Sequence, residues 1–185
     1  VGIAIGFVMR IVFAAVDMAG ALIGMQMGLS FAVFFDPDAG GQTVVLSDFL
    51  NLLATLIFLA INGHLLMVDV LVRSFEWLPV ATAAVDAGGW AFIARAGVTV
   101  FSAGLLLSLP IIAILLVANI ALGVLTRAAP QLNLFAVGFP ITLTAGFIGV
   151  LLVMTNFAPV LQGLFERSFD TITLLLDALA PRTGE

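Results

Sequence analysis

Long apolar runs dominate the chain, and three stretches rich in charged residues, Pro and Gly divide them into four blocks. The blocks cover residues 1–35, 46–72, 90–125 and 134–157, and the last is predicted to stop at Pro159. A bilayer core of about 30 Å needs about 20 helical residues to cross it. Each block is therefore long enough to form a membrane-spanning helix.

Two blocks depart from a simple helical span. The third is too long for one crossing, and Pro110 near its middle predicts a kink, because proline lacks a backbone donor and clashes with the preceding turn. After Pro159 the pattern changes, with apolar residues recurring at three- and four-residue steps and Glu166, Asp170 and Asp177 on the other side. This predicts an amphipathic C-terminal helix over 161–180 that docks on a partner or on the body of the protein.

Composition supports a membrane-embedded, all-α protein. Hydrophobic residues make up 63% of the 185 residues and charged residues 9%, against about 45–50% and about 25% in soluble domains. We predict one helical domain over residues 1–185, made of membrane-embedded or membrane-derived hairpins with kinked long helices. The chain begins at Val1 without a Met or a charged leader, so we interpret it as lacking its original start.

The chemical inventory argues against catalysis. The chain has no Cys, a single His and six basic residues, all of them Arg. Disulfides, thiolate metal sites and two-histidine metal sites are thereby excluded, and no catalytic motif is present. We expect no enzyme, no cofactor and no nucleic-acid partner, since no basic cluster exists.

Polar residues of the second block fall on one side of a predicted helix. At 100° per residue they occupy a sector of about 60°; they are Asp48, Asn51, Thr55, Asn62, Asp69 and Arg73. Because a charge facing lipid costs about 2.5–3.5 kcal/mol, we expect this polar stripe to be buried. It either binds helices together through hydrogen bonds or lines a water-filled path, and Asp69 can pair with Arg73.

The first block contains charges and small residues in register. Arg10 and Asp17 share a face, and we expect them to be buried and to find partners elsewhere. Gly20, Gly24 and Gly28 recur every four residues, as in ridges where helices approach closely. Met25 and Met27 lie among them and either fill the core or form an adaptable packing surface.

Two further features have alternative readings. His64 follows Asn62 and Gly63 and is either a packing residue near a helix end or part of a proton path. An aromatic run leads into a charged turn with two glycines, forming either an interfacial turn or a movable plug that excludes water. Its residues are Phe31, Phe34, Phe35, Asp36, Pro37, Gly40 and Gly41.

Several segments together resemble the FliR/SctT family of type III secretion export-gate subunits. They are AGALIGMQMGLSFAVFFDP at 19–37, FLAINGHLLMVDVLV at 58–72, ARAG at 94–97 and the stretch 109–144, which includes RAAPQLNLFAVGFP. The resemblance covers nearly the whole chain and fades after about residue 165. Members of the family begin with a further hydrophobic stretch, so this chain corresponds to the larger C-terminal part.

The resemblance implies a role in protein export. Family members assemble with FliP- and FliQ-like subunits into a gate in the bacterial inner membrane, within the flagellar basal body, through which unfolded substrates pass. FlhB-like and FlhA-like proteins also take part. The family's helical hairpins wrap a central pore, and its loop after the GMQMGLSF motif plugs that pore. Carried over, the plug residues are Phe31, Phe34, Phe35 and 36–41.

Other functions remain alternatives. A self-contained secondary transporter for a small molecule would use the broken third block and buried Asp and Arg residues to line a site at mid-membrane. A structural scaffold without any path and an injectisome subunit are two more. A transporter would fold and bind solute alone, whereas a gate subunit would expose apolar surfaces until its partners cover them.

Overall fold

The computed structural model describes residues 2–29, 45–77, 88–131 and 134–179. In these residues the chain forms five α-helices and no strand, so the all-α prediction is confirmed. The helices are α1 (Gly2–Gln26), α2 (Val45–Ala60), α3 (Gly63–Trp77), α4 (Gly88–Ala128) and α5 (Leu134–Leu179).

Helix α1 lies at the centre and contacts each of the other four helices. Its buried residues recur along most of its length, from Ile5 to Gly24. The two long helices α4 and α5 pack against each other and against α1, while α2 packs on α1 and α5. The largest fully buried side chains lie in α1 and the turn after it, in α4 and in α5, among them Val16, Ile111 and Phe165.

Three helical segments are long and apolar enough to cross a membrane. They are Gly2–Gln26, Gly97–Ala128 and Ala136–Leu174, and the bent pair α2–α3 forms a fourth candidate. Many large apolar side chains point away from the core, for example Phe101, Leu106 and Leu151. An apolar exterior of this extent is suited to lipid or to other apolar subunits.

The second block is two helices, which corrects the prediction of one continuous helix. α2 and α3 are bent by 64° at a break after Ala60. Asn62 has a φ of 56° in the left-handed region, which ends α2, and its carbonyl accepts from the N–H groups of Leu65 and Leu66. Asn tolerates this conformation better than most residues because its short polar side chain can hydrogen-bond locally.

Close packing fixes the bend. A Cβ on Gly63 would lie 2.3 Å from the ring of Phe58, so any larger residue would force this ring to move. Phe58 in turn packs against Phe165 and Phe13, with ring centroids 5.2 and 6.1 Å away. This aromatic triangle ties the bend in α2–α3 to α1 and α5.

The predicted stop at Pro159 is wrong. α5 continues through Pro140 and Pro159, and residues 161–179 extend it rather than form a separate helix. Proline is tolerated inside membrane helices where neighbouring groups satisfy the freed backbone. Within this extension Leu161, Phe165 and Ile172 are buried and Glu166 and Asp170 are exposed, so apolar and charged residues lie on different faces.

Candidate functional site

The end of α1 is a tightly specified turn. Gly28 has a φ of 81°, and its N–H donates to the carbonyl of Met25 over 3.1 Å. The N–H of Leu29 donates to the carbonyl of Gly24 over 3.0 Å. This pair of hydrogen bonds is the Schellman motif that closes helices at a left-handed glycine. Gly28 is therefore a helix cap, and the predicted three-glycine ridge is corrected to Gly20 and Gly24, both buried.

The side chain of Met27 attaches this turn to the body of the protein. Met27 is 0% exposed, whereas its neighbour Met25 is 58% exposed. A Cβ on Gly146 of α5 would lie 2.5 Å from Met27 Cγ. The Thr142 hydroxyl lies 3.4 Å from the Met27 carbonyl and makes its shorter hydrogen bond, 3.0 Å, to the carbonyl of Phe139. Of Met25 and Met27, therefore, only Met27 fills the core.

Beside the turn lies a cavity of about 350 Å³ between α1, α4 and α5. Its lining mixes apolar groups with the carboxamides of Gln26 and Asn119. The predicted plug residues follow this turn in sequence. All of them (Phe31, Phe34, Phe35, Asp36, Pro37, Gly40 and Gly41) lie outside the described residues, so their role stays a prediction.

Glycines set the contacts between helices. A Cβ on Gly20 would lie 2.5 Å from the Cα of Ser47, so α1 and α2 touch backbone to backbone. Gly104 of α4 meets the Ala15 carbonyl of α1, and Gly149 of α5 meets Ile111 of α4. Sequence reasoning missed Gly104, Gly146 and Gly149. The three-residue spacing of Gly146 and Gly149 was the one available signal.

A polar edge runs along the outside of the α1–α2 contact. The Asn51 amide donates to the Asp17 carboxylate, and the Ser47 hydroxyl donates to the Asp17 carbonyl over 2.9 Å. The Thr55 hydroxyl donates to the Asn51 carbonyl over 2.8 Å. Together with exposed Asp48, these groups place α2's polar residues beside α1. The structure thus brings Asp17, one of the predicted charges of the first block, into contact with Asn51 of the predicted polar stripe.

The other stripe residues do not join this edge, which corrects the prediction of one continuous buried stripe. Asn62 sits in the bend, and beyond it the axis turns by 64°, so helical periodicity does not carry the stripe into α3. Asp69 and Arg73 form the predicted pair, with a 2.9 Å contact, but on an exposed face of α3. His64 is exposed as well, at the start of α3.

In the described part of the chain the charges that the sequence predicts to be buried lie on the surface, so their burial against another protein stays a prediction. Arg10, Asp17, Asp48 and Thr55 are exposed and Asn51 is half-buried. Asp17 and Asn51 contact each other across α1 and α2, and in the described part of the chain no ion pair involves Arg10, Asp17 or Asp48. In the same ranges no group of three or more His, Cys, Asp or Glu residues is placed to hold a metal ion.

The fold defines a class, an all-helical membrane protein with an apolar exterior and one polar edge. The chain belongs to the family described as bacterial export proteins, family 1, whose model matches residues 1–168. Among its relatives is the flagellar biosynthetic protein FliR of Pectobacterium carotovorum, 46% identical over 97% of this chain and 69% of the relative.

Two other relatives have the same description. The flagellar biosynthetic protein FliR of Escherichia coli is 42% identical over 97% of this chain and 69% of the relative. That of Bacillus subtilis is 33% identical over 95% of this chain and 69% of the relative. The resemblance seen in the sequence motifs is confirmed, and the findings indicate a membrane component of the flagellar export apparatus.

Proposed function

We propose that the chain is a core subunit of the flagellar type III export gate. With FliP- and FliQ-like subunits it forms the pore through which unfolded flagellar substrates are secreted, in the inner membrane at the flagellar basal body. FlhB-like and FlhA-like proteins act beside it. The observation that carries the proposal is the similarity to FliR proteins over 97% of the chain.

The distribution of polar groups favours a gate subunit over a self-contained transporter. A transporter holds its solute at a polar site inside its own helix bundle. Among the described residues, the buried polar or charged side chains are three serines, Ser47, Ser74 and Ser108, and the rest of the core is apolar. The charges lie on the outside instead, where a neighbouring subunit or a passage between subunits can use them.

The anchored turn supports a plug in the loop that follows it. A plug has to start from a fixed point and yet yield to the passing chain. Met27 and the Schellman turn provide the fixed point, and Gly40 with Gly41 provides freedom of rotation farther along the chain. Phe31, Phe34 and Phe35 then form the apolar seal, which excludes water without selecting particular side chains.

Native mass spectrometry tests the assembly. The full-length protein is expressed alone and then together with its FliP- and FliQ-like neighbours, and each sample is extracted in mild detergent. We expect aggregation alone and a defined hetero-oligomer in company. A monodisperse species that ignores these partners would overturn the proposal and direct attention to solute binding.

A further inference from the structure

Helix α1 carries on its outer face a charge that no described residue pairs with. Ile3, Phe7, Arg10 and Asp17 lie on one side of this helix, with Ile3 91% and Phe7 40% exposed. Arg10 makes no ion pair with any described residue, in contrast to Arg73, which is paired with Asp69. Among the described residues, this guanidinium therefore has no partner and lies beside exposed apolar side chains.

Arg10 lies well inside α1 rather than at either end of the helix. At 1.5 Å per residue it lies about 12 Å from the first residue of α1 and about 24 Å from the last. α1 is one of the helices long and apolar enough to span a membrane. Arg10 therefore sits within the apolar length of the helix, where charged side chains pair with other groups rather than face lipid.

The opposite charge accumulates farther along the same edge. Asp17 lies about 10 Å beyond Arg10 along the helix axis, and its carboxylate accepts only the neutral amide of Asn51. Asp48 is exposed and follows Ser47, which donates to the Asp17 carbonyl. In the described ranges neither carboxylate has a cation as partner. The edge has a basic end at Arg10 and an acidic end at Asp17 and Asp48.

We propose that this edge is the docking surface for an apolar helix of another subunit that carries the complementary charges. The partner helix presents a carboxylate to Arg10 and, about two helical turns away, a Lys or Arg to Asp17 and Asp48. The proposal rests on the proposed function in assuming a hetero-oligomer, and it assigns one contact within it. Subunit interfaces pair charges in this way to fix partner choice and register.

Two other occupants fit less well. A lipid phosphate would meet Arg10 but would be repelled by the two carboxylates, and phosphates lie outside the hydrocarbon layer, which α1 is long enough to cross. A water-filled passage would leave Ile3 and Phe7 exposed to water. Exposed apolar residues around a charge pattern are typical of a protein interface with a matched partner.

Charge reversal tests the contact in the complete complex. Arg10→Glu and Asp17→Arg are made singly in the full-length protein, which is then co-expressed with its partners. We expect the recovered hetero-oligomer to fall about tenfold for each, as for loss of one member of a buried charge pair, and to stay near the wild-type amount for Arg10→Lys. Arg167→Glu, at an exposed position of α5, is the control for net charge.

A labelling experiment identifies what covers the edge. Because the chain has no Cys, Phe7→Cys gives a single thiol on this face. In the intact complex we expect it to resist a water-soluble maleimide and to cross-link to a neighbouring subunit whose contacting helix carries the acid and the base.

The remaining outcomes separate the two proposals. Full labelling by the aqueous reagent, or cross-linking to lipid alone, would overturn the docking helix while leaving the export-gate function intact. Unchanged recovery of the complex for both charge reversals would do the same. Failure of the wild-type protein to form any hetero-oligomer would overturn the proposed function itself.

Discussion

Gly146 of α5 and Met27 of the α1 turn are in direct contact, so close that a Cβ on residue 146 would lie 2.5 Å from Met27 Cγ and 2.7 Å from its Sδ. Met27 is also the residue from which the chain leaves α1 through Gly28 and Leu29. The contact therefore fixes where the following loop begins. A residue deep in one helix interface therefore holds the turn that precedes the predicted plug in sequence.

Replacing Gly146 should loosen this anchor. Gly146→Val forces the buried Met27 side chain out of its place and should lower the free energy of unfolding by about 1–3 kcal/mol, the usual cost of overpacking. Gly163 of the same helix has open space around its Cα. Gly163→Ala should therefore be neutral or stabilise by up to about 1 kcal/mol. Thermal unfolding in detergent measures both, and equal effects would contradict the contact.

Gly20 should tolerate substitution less well than Gly146. A Cβ on Gly20 meets the Cα and N of Ser47, which are backbone atoms and cannot rotate away. Gly20→Ala should thus push α1 and α2 apart and cost about 3 kcal/mol, at the upper end for overpacking. Gly6→Ala, on the exposed side of the same helix with nothing near it, is the matched control. Similar stability for the two variants would be inconsistent with backbone contact at Ser47.

The bend between α2 and α3 should depend on Asn62. Its φ of 56° costs a β-branched residue about 1–2 kcal/mol, so Asn62→Val should favour a straighter α2–α3, whereas Asn62→Gly should keep the bend. Spin labels at Leu52→Cys and Leu66→Cys, both exposed positions, report the separation of the two helices. We expect a longer distance in Asn62→Val only. An unchanged distance would show that packing of Gly63 on Phe58 is sufficient to hold the bend.

The plug prediction concerns residues 31–41. Deleting 36–41, or combining Phe34→Ala with Phe35→Ala, should leave the assembled complex intact and raise its ion conductance in planar bilayers, because the apolar seal is lost. Phe101→Ala, at an exposed position of α4, should leave the conductance low. Equal conductance in all of these complexes would rule out a plug in this loop.

The sequence predicts the helices of this protein well, but it predicts the positions where they break poorly. The apolar runs predicted how many helices are long enough to cross a membrane, because a membrane-spanning helix needs only sufficient length and apolar side chains. Pro159 does not end α5, because neighbouring groups can satisfy the backbone that a proline leaves unpaired inside a membrane helix. The true interruption was Asn62, a polar residue whose left-handed φ has no strong signature within an apolar block.

The sequence predicted only part of the candidate site, because helical periodicity applies within one helix and not beyond a bend. Helical periodicity correctly grouped Asp48, Asn51 and Thr55, since they lie on one helix, and failed for Asn62, Asp69 and Arg73, which lie at or beyond the bend. The link between Asp17 and Asn51 joins residues 34 positions apart. Spacing within one block cannot reveal such a contact, because it depends on how two helices are placed side by side.

The most direct test of the export-gate account is secretion in cells. The full-length protein is supplied to cells of its source that lack it, and flagellar substrates in the medium are quantified alongside the amount of protein in the membrane. The account predicts that secretion is absent without the protein, returns with it, and falls with Arg10→Glu at equal membrane levels. Normal secretion of flagellar substrates in cells lacking the protein would contradict the account.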